Sequence, residues 1–181
     1  MDHYKEQGYC LYRNFFDESE IREIEPLLLC FHERWLQDKM QHYNSGLLNS
    51  YSLTSADYWT VQEKEIIFGF IAQPKINIIR KASFLGHSVF LNTQLFFDPK
   101  NPDQQNYWHR DLQYTGMDVA QQQQVIQKQD VIHFRIPLRK ENGIELIPGS
   151  HRQWDTLTEY EVRNNLNGKK SNDALERGQV V

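Results

Sequence analysis

The first part of the chain carries a hydrophobic pattern typical of helices. After the acidic residues 17–20, one helix face is predicted because apolar residues recur every three or four positions, at Ile21, Ile24, Leu28, Phe31 and Trp35. Asp17 is the predicted N-cap and Glu20 the third helical residue. We expect Pro26 to kink this helix or to limit its first turn. Further helices are predicted from about Ser55, with Thr54 or Ser55 as the cap, through Phe70, and from Pro74 to Lys81.

The second part is patterned as strands. Residues 89–97 (VFLNTQLFF) and 131–138 (VIHFRIPL) are rich in β-branched and aromatic side chains, and residues 107–114 and 144–147 are further candidates. Helices followed by strands favour an α+β or mainly-β domain with helices on its N-terminal side. We therefore predict one domain over residues 1–181. Residues 1–85 are its largely helical support and residues 86–181 its β core.

Composition excludes several classes of protein. The 181 residues carry a formal net charge of −4 and a pI of about 6.0, which does not suit a nucleic-acid binder. No stretch approaches the roughly 20 apolar residues of a membrane span. Two separate cysteines, Cys10 and Cys30, make neither a disulfide framework nor a zinc site. A reducing, cytoplasmic setting is the expectation.

The segment YWHRDLQYTG, residues 107–116, is the most informative. Its HRDL tetrapeptide occurs in the catalytic loop of protein kinases, but Gly116 stands where a kinase has its metal-binding Asn. A metal site is the better interpretation. On a strand, His109 and Asp111 would project to the same face and Arg110 to the other. An imidazole and a carboxylate side by side can supply two ligands of a facial triad for non-haem Fe(II), and a second His would complete it.

Four motifs together resemble the phytanoyl-CoA dioxygenase family: GYCLYRNFF near the start, NTQLFFDP, YWHRD, and ENGIELIPGSHR. The resemblance extends from about Gly8 to His151. It implies a double-stranded β-helix, the jelly-roll fold related to cupins, within a mainly-β protein with N-terminal helices. It also implies an Fe(II)- and 2-oxoglutarate-dependent oxygenase that hydroxylates a small organic substrate with molecular oxygen, through a ferryl intermediate. Asp111 favours hydroxylation, because halogenating relatives lack this carboxylate.

The resemblance makes His109 and Asp111 two iron ligands and requires a third. In the family, a distal His follows the PGSH turn, and an Arg beyond it binds 2-oxoglutarate. No histidine follows His151, so we expect both residues beyond position 181 and the jelly roll to be incomplete at its C-terminus. His133 is a less favoured substitute, since it alternates with Ile132, Phe134 and Ile136 on its predicted strand.

Three polar residues are candidates for binding 2-oxoglutarate or substrate. Gln94 and Asn92 share one face of a largely apolar predicted strand, where a buried amide needs a partner. Arg135 either faces solvent or binds a carboxylate. For each, a purely structural hydrogen bond or ion pair is the alternative.

Two further classes of function stay open beside the oxygenase. The first is a catalytically inactive binding or regulatory protein on the same scaffold. The second is another metal-dependent β-barrel enzyme, although such sites usually use more histidines. The sequence determines neither the substrate nor the oligomeric state.

Overall fold

The computed structural model describes residues 2–46, 49–55, 57–83, 88–128 and 131–181. Helices and strands follow one another as α1 (Asp2–Gln7), α2 (Glu18–Asn44), β1 (Ser50–Ser52), α3 (Val61–Ile71), α4 (Pro74–Ser83), β2 (Gln94–Phe96), a 3-10 helix (Asp111–Tyr114), α5 (Val119–Val125), β3 (Glu145–Leu146), α6 (Leu157–Arg163) and β4 (Gln179–Val180). The chain divides into two compact units. Unit 1 comprises Met1–Arg13 with Gln105–Val181, and unit 2 comprises Asn14–Gln104.

The predicted double-stranded β-helix is wrong for the described residues, which are mostly helical. Their strands form only two antiparallel pairs, β1 with β2 and β3 with β4, and no jelly-roll barrel. Residues 131–138 form no strand, and only Gln94–Phe96 of the predicted strand 89–97 is one. The physical reason is that β propensity needs a neighbouring strand to pair with. The local pattern of these segments does not provide one.

Unit 2 is built on α2, whose predicted start is confirmed. The Asp17 side chain accepts a hydrogen bond from the backbone N–H of Glu20, and the Glu20 side chain accepts one from the N–H of Asp17. The predicted face is buried at Ile24, Leu28, Phe31 and Trp35. The helix continues through Pro26, and its non-helical residue is Lys39 instead.

Helix α3 starts later than predicted, because a stronger cap lies downstream. Thr60 and Glu63 form a reciprocal capping box, so the helix begins at Val61. The residues just before it are used in the core: Tyr58 and Trp59 are buried, and the Trp59 ring stacks on Phe31 with centroids 4.6 Å apart. Helix α4 begins at Pro74, as predicted.

Unit 1 has a smaller apolar core, in which two polar side chains are also buried. Its buried apolar side chains in the described residues are Ile126, Val162 and Leu175, and Gln122 and Glu159 are buried with them. Helix α6 has Thr156 as its N-cap, and Glu159 closes its capping box. Helix α5 is polar along most of its length and is capped by Asp118.

The PGSH turn lies against α1 within unit 1. The backbone N–H of Gly149 donates to the carbonyl oxygen of Gln7 at 2.8 Å. His151 lies so close to Gly8 that a Cβ at Gly8 would be 2.5 Å from the imidazole Nδ1, and Gly8 also has a φ of +86°. Only glycine suits this position, because a side chain would be both strained and obstructed. The turn motif therefore has a structural role in this unit.

Candidate functional site

The candidate site is centred on Asp111, at the start of the 3-10 helix. Segment 107–110 is not the predicted strand, but Arg110 is extended, with φ −116° and ψ 138°. Extended backbone at Arg110 places its neighbours on the side opposite to its own side chain. His109 and Asp111 are accordingly exposed, with relative side-chain exposures of 45% and 66%, whereas the Arg110 side chain is 13% exposed. His109 and Asp111 thus point to the side opposite to Arg110, as the sequence predicts, although the segment is not a strand.

Two histidines approach the one carboxylate. Nε2 of His109 lies 3.7 Å from Oδ1 of Asp111. Nε2 of His133, which follows Asp111 by 22 residues, lies 3.4 Å from Oδ2 of Asp111. Two ligand atoms, each about 2.1 Å from one ion and at right angles, are about 3.0 Å apart. Both separations are therefore slightly larger than those of ligands around one metal ion.

The hydrogen bonding of His109 suits a ligand. Its Nδ1 lies 3.3 Å from the carbonyl oxygen of Tyr107, and a carbonyl can only accept, so Nδ1 carries a proton in this contact. In the neutral imidazole, Nε2 then presents its lone pair towards Asp111. A lone pair and a carboxylate repel one another, and a metal cation between them would remove that repulsion. The Tyr107 and Tyr114 rings lie beside the imidazole, with centroids 5.5 and 5.8 Å away.

The three side chains do not yet converge on one point. The two imidazoles approach different oxygens of Asp111, and within the described ranges no group of three His, Cys, Asp or Glu side chains could hold a metal ion as placed. His109 and Asp111 thus fit two positions of a metal site. His133 would have to move towards Oδ1 to complete the set, and its side chain is 66% exposed.

The predicted co-substrate residues have other contacts. Arg135 forms a two-pronged ion pair with Glu141, from Nη2 to Oε2 at 2.8 Å and from Nε to Oε1 at 3.2 Å. Of the two alternatives for Arg135, facing solvent or binding a carboxylate, it binds a carboxylate, but that of a side chain of the protein. Asn92 accepts a hydrogen bond from Ser52, and Gln94 is exposed at the start of β2. Both belong to unit 2, whereas His109, Asp111, His133 and Arg135 belong to unit 1. Their assignment to 2-oxoglutarate stays a prediction.

The sequence pattern did not reveal the largely shielded residues behind the site. Arg110, Trp154, Asp155 and Arg163 form a connected cluster beneath the segment that carries His109 and Asp111. One signal was available: an Arg between two outward-facing residues points inward, and a buried guanidinium needs a carboxylate partner. That signal predicts a partner but cannot identify Asp155, which is 45 residues away.

The chain matches no protein-family model, no curated protein and no solved structure. The resemblance to the phytanoyl-CoA dioxygenase family therefore rests on the quoted motifs and stays a prediction. Among the described residues, no helix is both long enough and apolar enough to cross a membrane.

Proposed function

We propose that this protein is an Fe(II)- and 2-oxoglutarate-dependent oxygenase of a small organic molecule, with its metal held at Asp111. The observation that carries the proposal is the position of Asp111 between His109 and His133, at 3.7 and 3.4 Å. A carboxylate between two imidazoles supplies the donor types of the facial triad. When bound, Fe(II) with 2-oxoglutarate supplies the oxidation of a C–H bond by molecular oxygen. The YWHRD motif supports the same assignment.

The chain's own residues hold and orient the metal in this proposal. His109 donates its Nδ1 proton to the Tyr107 carbonyl, which fixes the tautomer that offers Nε2. Asp111 supplies a carboxylate oxygen, and His133 would be the third ligand once its imidazole approaches the same oxygen as His109. The proposed setting is cytoplasmic, which suits the free thiols Cys10 and Cys30. The proposal includes no nucleic-acid partner.

The first test measures succinate formed from 2-oxoglutarate with Fe(II) and oxygen. We expect turnover in the wild type and at least a roughly 100-fold loss in His109→Ala and Asp111→Ala, because ligand loss exceeds the roughly 10- to 100-fold effect of outer partners. His42→Ala is the control, since His42 is exposed in unit 2. Unchanged turnover in Asp111→Ala would contradict the proposal.

The second test identifies the third ligand. Isothermal titration with Fe(II) under anaerobic conditions should show weaker binding in His133→Ala if His133 completes the site. An unchanged affinity in His133→Ala, with a loss in His109→Ala, would place the third ligand elsewhere.

A binding or regulatory protein without catalysis is the second candidate. Two observations favour it: the imidazoles approach different oxygens of Asp111, and Glu141 already holds Arg135. Metal binding that depends on His109 and Asp111, without succinate formation in the wild type, would support this candidate over the oxygenase.

A further inference from the structure

Arg110 lies between the two candidate ligands, and all three nitrogens of its guanidinium group donate hydrogen bonds. Its Nε donates to Oδ1 of Asp155 at 2.6 Å, its Nη1 to the Ser150 carbonyl at 2.6 Å and its Nη2 to the Gln153 carbonyl at 2.8 Å. Every nitrogen of the side chain therefore has a partner. A planar guanidinium bound at three nitrogens has one position and one orientation.

Asp155 is shared with a second arginine. Arg163 donates to its other oxygen, Oδ2, from Nε at 2.9 Å and from Nη2 at 2.6 Å. The indole ring of Trp154 lies near both guanidinium carbons, 5.4 Å from that of Arg110 and 5.7 Å from that of Arg163. The side chains of Asp155 and Arg163 are only 5% and 7% exposed, so these ion pairs are shielded from solvent.

The same network fixes the backbone on either side of the site. The amide of Arg110 donates to Oε1 of Gln113 at 3.3 Å, and Nη1 of Arg163 donates to the same oxygen at 3.1 Å. Before the site, the amide of Trp108 donates to the Ser171 carbonyl at 2.8 Å. The backbone of residues 108–113 is thus held by hydrogen bonds on its inner side, while the side chains of His109 and Asp111 extend into solvent.

We propose that Arg110 is a positioning residue for the metal ligands, an inference that rests on the proposed function. The buried guanidinium fixes the extended backbone at Arg110, which keeps His109 and Asp111 on one side and at one separation. Exposed ligand side chains and their backbone lose conformational entropy when they bind a metal ion. Arg110 reduces that cost because it has already ordered the backbone. Asp155, Ser150 and Gln153 act on the metal only through Arg110.

Arg163 provides a matched control. It binds the same carboxylate, lies near the same indole ring and is similarly buried, but its own backbone carries no candidate ligand. Arg110→Met and Arg163→Met each remove one guanidinium from Asp155 and retain an apolar stem. A purely structural network would respond alike to both changes. If Arg110 positions the ligands, Arg110→Met should weaken metal binding more than Arg163→Met does.

The experiment titrates Co²⁺ into metal-free protein by absorption spectroscopy and measures unfolding of the same samples by urea. We expect the two Met variants to lose similar stability. Arg110→Met should lose Co²⁺ affinity by about tenfold, at the lower end of the effect of outer-sphere partners. Arg163→Met should lose clearly less, because Arg163 contacts the site segment through the Gln113 side chain and its own backbone carries no candidate ligand. Arg110→Lys should recover part of the affinity, since an ammonium can reach Asp155 but cannot bind all three acceptors.

Several outcomes would overturn the inference. Equal loss of Co²⁺ affinity in Arg110→Met and Arg163→Met would make the network structural only. Loss in His109→Ala with full affinity in Arg110→Met would reject the positioning role and leave the proposed metal site intact. Failure of the wild type to bind Co²⁺ would overturn both.

A second measurement covers the case in which Arg110→Met does not fold. Backbone ¹⁵N order parameters at His109 and Asp111 should fall clearly further in Arg110→Lys than in Arg163→Lys. Equal order parameters in the two Lys variants would reject the inference.

Discussion

The two units of this protein are stabilised in different ways. Unit 2 has an aromatic and aliphatic core on amphipathic helices, where Phe31 and Trp35 are 1% and 0% exposed. Unit 1 relies on buried charge, with Asp155 between two guanidinium groups. Apolar burial is non-directional and tolerates many arrangements, whereas a buried ion network is stable only when every partner is in place. The exposed candidate ligands belong to the unit whose stabilising contacts have the more specific geometry.

Removing the shared carboxylate should have the largest effect on stability. Asp155→Ala leaves the Arg110 and Arg163 guanidinium groups buried without their counter-charge, so we expect a loss of about 3–5 kcal/mol in the free energy of unfolding. Urea denaturation measures it. Glu176→Ala is the control within the same unit, because Glu176 is exposed. A loss below about 1 kcal/mol would show that unit 1 does not depend on the network.

Adjacent leucines on α2 test the apolar core of unit 2. Leu28 is 6% exposed and Leu29 is 43% exposed. Leu28→Ala should lower the free energy of unfolding by about 2–5 kcal/mol, because it removes buried methyl groups and leaves a cavity. Leu29→Ala should cost less than about 1 kcal/mol. Similar losses in the two variants would contradict the assigned helix face.

The main ion pair of unit 2 should contribute less than that of unit 1. Arg34 binds both oxygens of Glu63 at 2.8 and 2.9 Å, but its side chain is 37% exposed. Glu63→Gln keeps the shape of the side chain and removes its charge. We expect a loss of about 1–3 kcal/mol at neutral pH, in the range for hydrogen bonds to charged groups.

The stabilisation by the Arg34–Glu63 ion pair should depend on pH. Hydrogen bonds from Arg34 and from the Thr60 amide lower the pKa of Glu63 to about 2, from an ordinary value of 4.5. The folded state thus binds this proton less readily than the unfolded chain. The stabilisation is complete above pH 4.5 and is lost as the pH falls towards 2. The difference between wild type and Glu63→Gln should shrink over that interval, and a constant difference would contradict the assigned pKa.

Much of unit 2 was predictable because its signals are local. A helix needs only residues three and four apart on one side and a cap at its start, and residues 17–35 contain both. The start of α3 was wrong by several residues for a similarly local reason: the Thr60–Glu63 box was overlooked in favour of Thr54 and Ser55. The strand predictions were wrong because the pairing of two distant segments is not determined by the sequence of either segment alone.

The sequence by itself determined the N-cap and buried face of α2, the start of α4, and the opposite directions of Arg110 and its two neighbours. These follow from backbone geometry over a few residues. Only the tertiary structure decided that residues 131–138 form no strand, that His133 comes within 3.4 Å of Asp111, and that Asp155 holds Arg110. Contacts between residues 22 and 45 positions apart depend on the path of the whole chain. Local periodicity sets which side of the backbone a residue occupies, and the chain path sets which residues meet there.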